Sequence, residues 1–380
     1  MTEAEQSLLA FAKGLVATPS PPAQESEVAT LLARELDSLG YRDISVDEVG
    51  NVVAWLGEGP PRLMFNGHMD HVPPGQMESP YEAEVVDGAA YGEPGPALRG
   101  RGSCDMKANL AAGAYAAAFL NRDALRRGSY VLTADVQEEI DAPVGIQRLL
   151  DRGLRADCGI SGESTGLAVS VGHRGKARFE LAVSGRSSHA SNPKAGLNAV
   201  FRAVPFLQAV SELAENLGEA DSLYGAPSIT VTGISSEPAE AVAVVPGTCT
   251  VRIDRRYVLG EDPESCLAQL EALVKTVSER EGVPASVSLV DVYPLMTIEP
   301  TNGLVEVGRE AVAAVLGQTP ITTTWQFGVN ATYMSAAGIP TIGIGPGDER
   351  WAHTDEEHVP LDEVLAASRI YAELIERLTS

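Results

Sequence analysis

Imidazoles and carboxylates recur in this sequence just past apolar, strand-like runs, a pattern suited to metal-assisted hydrolysis. In Gly67-His68-Met69-Asp70 the imidazole and the carboxylate stand two residues apart. Side chains two apart on extended backbone project to the same side, so His68 can ligate a metal while Asp70 fixes its ring. An isolated pair of this kind also fits a surface turn. A glycine-rich loop, Arg99-Gly100-Arg101-Gly102-Ser103-Cys104, delivers Asp105 to the start of a helix. There it can cap the helix, and its two oxygens can also bridge a pair of divalent ions; the two roles are compatible. The apolar run ending at Val136-Gln137 closes on Glu138-Glu139. Adjacent carboxylates repel unless a cation lies between them or one takes a proton. Because neighbouring residues at a strand end diverge, Glu139 is read as a ligand and Glu138 as the general base, against the plainer reading of a solvated strand end. Glu163 follows another short buried run, and His353 follows Ile344-Gly345-Pro346-Gly347. The nitrogen and oxygen donors suit zinc, with cobalt or manganese as substitutes.

The elements that must position these residues follow from periodicity. Leu8, Phe11, Ala12 and Leu15 mark an amphipathic N-terminal helix, and Val28, Leu31, Leu32, Leu36 and Leu39 mark a second helix ending at Gly40. Strands are expected at Ile44 to Val46, Asn51 to Leu56 and Arg62 to Phe65, the last stopping at Asn66-Gly67. Further helices and strands alternate up to about Ile160, which indicates an α/β layer fold. From Lys176 the order becomes β-α-β-β-α-β, an antiparallel sheet with two helices, and after about residue 295 the α/β texture returns. The expected organisation is a catalytic domain over 1–174 and 295–380, with a central mixed sheet flanked by helices, interrupted by an α+β domain over 175–294 with a four-stranded antiparallel sheet. All the candidate ligands then lie past strand ends, where open α/β sheets bind ligands.

Composition narrows the function. The 380 residues are 44% hydrophobic, enough for two cores, and the formal net charge of -24 disfavours nucleic acid and anionic lipid as partners. Four cysteines without CxxC spacing fit reduced thiols, an acidic N-terminus lacks the basic start of a signal peptide, and no apolar run approaches spanning length. A cytoplasmic enzyme is expected.

In this order the motifs resemble the zinc-dependent superfamily that contains acetylornithine deacetylase, succinyl-diaminopimelate desuccinylase, carboxypeptidase G and the aminoacylases, over essentially the whole chain. Val136-Gln137-Glu138-Glu139, the segments at 172–185 and 338–347, Ser187-Ser188-His189-Ala190 and Asp254-Arg255-Arg256 most resemble its acetyl-lysine or acetylornithine deacetylase branch and hydrolases linked to selenium metabolism. The resemblance implies two zinc ions per chain: His68, Asp105 and Glu163 on one, Asp105, Glu139 and His353 on the other, with Asp70 orienting His68. It implies that a metal-activated hydroxide cleaves the amide of an N-acyl amino acid or dipeptide, with Glu138 shuttling the proton. The inserted domain would be a lid and dimerisation domain, making the protein a homodimer in which His189 supports the oxyanion in the partner's site. Arg256 would grip a substrate carboxylate, helped by backbone N–H groups of Gly345 and Gly347. On sequence alone, His189 reads more readily as a structural loop residue, while Arg256 reads equally as a surface ion pair and the glycines as a tight turn.

Three positions depart from the family pattern. His71 replaces a threonine and reads as a surface residue, Ala243 stands where many members carry an asparagine that contacts substrate, and Ser164 replaces a proline. His173 and His358 have no assigned role. The rival readings are a two-zinc aminopeptidase acting on short peptides, which needs an acidic pocket for a free N-terminus, and a catalytically silent binder, which has no need of Glu138.

Overall fold

The computed structural model describes residues 1–121, 125, 128–140, 144–218, 220–221, 223–239 and 243–379. The chain divides into two compact units, one of Met1–Gly172, Met296–Trp325 and Val329–Ser380, the other of His173–Leu295 with Gln326–Gly328.

The first unit opens with α1 (Glu3–Ala17) and α2 (Ser26–Ser38). A reciprocal capping box starts α1: Thr2 Oγ1 accepts the Glu5 N–H and Glu5 Oε2 accepts the Thr2 N–H. Leu8, Phe11, Ala12 and Leu15 are buried along it, as their spacing predicts. Then follow β1 (Arg42–Val46), β2 (Val52–Gly57), β3 (Arg62–His68), β4 (Glu84–Asp87), β5 (Pro96–Arg99), α3 (Ala108–Phe119), β6 (Ser129–Asp135), α4 (Val144–Asp151), β7 (Cys158–Ser161) and β8 (Val169–His173). All seven residues of β6 and the last six of β3 are buried. Burial on both faces is the signature of a sheet with helices on each side. The small residues of α3 let it lie close: a Cβ added to Gly113 would come within 2.5 Å of the Phe65 ring.

The second unit contains β9 (Gly175–Ser184), the two-residue β10 (Ser188–His189), α5 (Ala199–Ala214), β11 (Ser228–Glu237), the short β12 (Val244–Val245), β13 (Thr248–Tyr257), α6 (Pro263–Glu281) and β14 (Ala285–Tyr293). Its sheet runs β11-β13-β9-β14, antiparallel throughout. Burial alternates along β9 because one face packs on the helices, where Phe179, Leu181, Val251 and Ile253 meet Phe206, Val210, Leu270 and Val274.

The first unit resumes with β15 (Met296–Thr297), α7 (Gly303–Leu316), β16 (Thr322–Trp325), α8 (Ala331–Ala336), β17 (Thr341–Gly343), β18 (His358–Pro360) and α9 (Leu361–Thr379). Among the described residues its main sheet has nine strands, in the order β1-β2-β6-β3-β7-β17-β8-β15 with β16 also on β8. The β3 pairings with β6 and β7 are parallel, and the β2–β6 and β1–β2 pairings are antiparallel. The mixed central sheet and the separate antiparallel sheet with two helices bear out the expected fold class.

Two local expectations change. Asn66-Gly67 does not end β3: the ladder with β6 continues through Gly67 opposite Ala134 and His68 opposite Asp135. Gly67 serves packing, since a Cβ there would stand 2.8 Å from Met106 Cε. The sequence reading also lacked the small sheet β18-β5-β4, whose strands lie far apart in the chain.

Candidate active site

His68, at the end of β3, is 2% exposed. Its Nδ1 lies 3.4 Å from Asp70 Oδ1, and its Nε2 lies 2.9 Å from Asp105 Oδ1 and 3.5 Å from Glu163 Oε1. Asp70 also accepts the backbone N–H groups of Glu138 and Glu139, at 3.1 and 3.0 Å, so one buried carboxylate orients both the imidazole and the two-glutamate turn. The other oxygen of Asp105 is 3.1 Å from His353 Nε2, which is 2.9 Å from Glu139 Oε2. His353 adopts a left-handed backbone, φ 64°, just after a short 3-10 turn. Asp105 is thus no helix cap. Its φ of -125° and ψ of 92° break the helical path, and its carboxylate stands between two sets of donors.

The donor set fits divalent metal. Donor atoms of His68, Asp105 and Glu139 all lie within 4.8 Å of one another. Glu139 Oε1 and Glu163 Oε2 are buried with no hydrogen-bond partner, a cost that a cation removes. Burial pushes the Glu163 carboxyl up to about 8, with His68 pulling it down and Asp105 and Glu139 repelling its charge. Burial likewise lifts Glu138 well above the carboxylate range. Burial opposes the charge of Asp105 too, yet its hydrogen bonds with His353 and His68 hold it below its usual value. His353 rises to about 10 through its hydrogen bonds to Asp105 and Glu139. Strained protonation in both directions marks a site built around positive charge.

A model of Peptidase family M20/M25/M40 matches residues 64–377, and the chain belongs to that family. It is a metal-dependent amidohydrolase. An acetylornithine deacetylase of Myxococcus xanthus is 31% identical over 339 residues, covering 88% of this chain and 85% of its own. A succinyl-diaminopimelate desuccinylase of Acidiphilium cryptum (strain JF-5) is 29% identical over 391 residues, with the whole of both chains covered. Among solved structures, the Bacillus subtilis YXEP protein, a dinuclear metal binding peptidase of the M20 family, aligns with a TM-score of 0.75 at 18% identity over 99% of this chain and 98% of its own.

The remaining expected residues fall elsewhere. The Gly345 N–H donates to Thr165 Oγ1 at 3.1 Å and the Gly347 N–H to Glu363 Oε2 at 2.8 Å, bonds that tie the loop after β17 to its neighbours. In the second unit, Arg256 Nε donates to Asp254 Oδ1 at 2.8 Å, while the adjacent Arg255 is buried against Glu261. His189 is exposed, and its Nδ1 accepts the Ser191 N–H at 3.2 Å, which makes Nε2 the donor nitrogen. Ala243 lies beside it, its carbonyl accepting the Ala190 N–H at 2.8 Å.

His71 is not a surface residue. It is fully buried: Nδ1–H donates to Val72 O at 2.8 Å and Nε2 accepts the Ser20 N–H at 2.9 Å, pinning the α1–α2 turn to the ligand loop. Burial and the nearby Lys107 push it down to about 4, so the ring is neutral. Ser164 Oγ, in place of proline, lies 2.7 Å from Cys104 O and 2.9 Å from Pro346 O, tying two loops of the site together. His173 and His358 are both buried; His358 packs against Tyr91 and Trp351.

Three functional neighbours escaped the sequence reading. Glu357 accepts the N–H groups of Cys104 and Asp105 and pairs with Arg101, both side chains being 1% exposed. Lys107 is fully buried, with Nζ donating to Thr18 O at 2.6 Å. The only local signal was Arg101 and Lys107 flanking Asp105 in a glycine-rich loop.

Proposed function

We propose that the protein is a dinuclear zinc hydrolase that cleaves the amide bond of an N-acyl amino acid or small dipeptide. The observation that carries this reading is the placement of the two Asp105 oxygens, one at 2.9 Å from His68 Nε2 and the other at 3.1 Å from His353 Nε2. His68, Asp105 and Glu163 would hold one ion, and Asp105, Glu139 and His353 the other. Bound there, zinc supplies Lewis acidity and lowers the pKa of water.

Glu138 takes a proton from the attacking water and returns it to the leaving nitrogen; burial raises its carboxyl above the ordinary value. Asp70 holds the backbone of that glutamate and the ring of His68 together. His189, donating from Nε2, would stabilise the oxyanion in a partner subunit, and Arg256 would exchange its Asp254 contact for a substrate carboxylate. Homodimerisation through the inserted domain is supported by the exposed Phe201 and Val204 on α5. A cytoplasmic setting is consistent with four free cysteines. No helix among the described residues is long and apolar enough to cross a membrane.

The names of the relatives favour deacylation, and a panel of N-acetyl amino acids, N-succinyl amino acids, dipeptides and tripeptides tests it. Turnover of the acyl amino acids or dipeptides should vanish on chelation and return with zinc. Activity that survives complete metal removal would sink the proposal, and a preference for tripeptides would move the assignment to an aminopeptidase.

A further inference from the structure

We propose that Arg101 and Glu357 form a positioning pair that sets Asp105 between its two groups of metal ligands, an inference that rests on reading Asp105 as the shared ligand. Asp105 lies in the turn Ser103–Lys107, whose path at Asp105 and Met106 is not helical. Within that turn Ser103 N–H bonds to Gly100 O and Lys107 N–H to Gly102 O, whereas the N–H groups of Cys104 and Asp105 both go to Glu357 Oε1, at 3.0 and 3.1 Å. The side chain of a residue some 250 positions away therefore replaces the local bonds that would otherwise fix this backbone.

Glu357 is itself fixed at both ends. Its Oε2 accepts from Arg101 Nη1, its carbonyl accepts the Gly100 N–H at 3.2 Å, and the following residues pair as β18 on β5, His358 opposite Arg99. Arg101 in turn donates through Nη2 to Pro74 O at 3.3 Å and through its backbone to Pro80 O at 2.8 Å. The hydrogen bonds to the Glu357 carboxylate all come from donors: Arg101 Nη1 and the N–H groups of Cys104 and Asp105. An acceptor is required at both oxygens, and an amide of the same size cannot meet that requirement, because its NH2 must face one of the donors.

The consequence is specific. A shift of the Asp105 backbone moves both of its oxygens at once, so loss of the pair weakens both metal-binding steps, whereas loss of a one-sided ligand weakens one. The full-length protein, stripped by chelation, is titrated with Co2+ and with Zn2+, following bound metal and the cobalt absorption bands. Wild type is compared with Glu357→Gln, Glu163→Ala and Asp105→Asn, and thermal unfolding of each metal-free protein is recorded. Glu357→Gln should weaken both steps by about 10–100-fold and alter the cobalt bands. Glu163→Ala should weaken one step, and Glu357→Gln should also lower the metal-free melting temperature, because it leaves a buried donor without an acceptor, while the folded variant still shows both steps weakened. If Glu357→Gln leaves either step at wild-type affinity while Asp105→Asn weakens both, the positioning pair is wrong and the shared ligand stands. If Asp105→Asn weakens only one step, the shared-ligand reading falls, and this inference with it. Should Glu357→Gln not fold, Arg101→Lys, which keeps the charge but loses the fork, must still weaken both steps; unchanged affinities there would overturn the proposal.

Discussion

Glu138 and Glu139 are adjacent in sequence and share one backbone anchor, yet their surroundings differ. Burial raises both carboxyls, but Glu139 meets His353 at 2.9 Å, and that hydrogen bond lowers it. Glu138→Ala should lower kcat by about 10²–10⁴-fold while metal analysis still finds two ions per chain. Loss of an ion instead would mean that the two glutamates have exchanged roles. His353→Ala should weaken one ion. His71 makes a prediction about stability. An unfolded histidine titrates near 6.5, but the buried ring is held down to about 4, so between these pH values the unfolded chain binds the extra proton. The stabilisation from His71 is complete above about 6.5 and is lost as pH falls towards 4. Urea unfolding across this window should show a steeper loss for wild type than for His71→Asn, and parallel curves would refute the assignment.

At the scale of elements, the proposed ligands are held by strand ends and by tight contacts between loops. A Cβ on Gly345 would come within 2.2 Å of Gly162 O and 2.3 Å of Glu163 O, so this glycine lets the loop after β17 close over the backbone of a candidate ligand. Gly345→Ala should therefore cost about 1–3 kcal/mol through overpacking. It should also weaken the metal step that depends on Glu163, read by urea unfolding and cobalt titration together. An alanine variant that loses stability without any change in metal affinity would assign Gly345 to packing alone. The extension of β3 through Gly67 works the same way: continued pairing with β6, rather than a turn, carries His68 to the site.

For the whole molecule, the proposed ligands at positions 68, 105, 139, 163 and 353 converge within the first unit, while the residues expected to complete the site from a lid lie in the second. On α5 of that second unit Phe201 is 75% exposed and Val204, three residues further on, is 44% exposed. A single scattered apolar residue needs no explanation, but Phe201 and Val204, three apart on a helix, share one exposed face. Sedimentation should find a dimer for wild type and a monomer for Phe201→Glu. If catalysis draws His189 from the partner, that variant should lose turnover while keeping its metals; a fully active monomer would remove His189 from the mechanism.

The sequence by itself determined the chemical types and the layers. Apolar runs capped by histidine or carboxylate were readable because strand ends and ligand chemistry are local, and the alternation from 176 onwards marked a sheet with one covered face. Tertiary structure alone decided how buried polar groups are satisfied. The burial of His71 depends on Ser20, the occupied N–H groups of Gly345 and Gly347 depend on Thr165 and Glu363, and the hold on Asp105 depends on Glu357. Periodicity reports that a position is buried, but not which distant group accepts its proton; that partner exists only once the strands have paired.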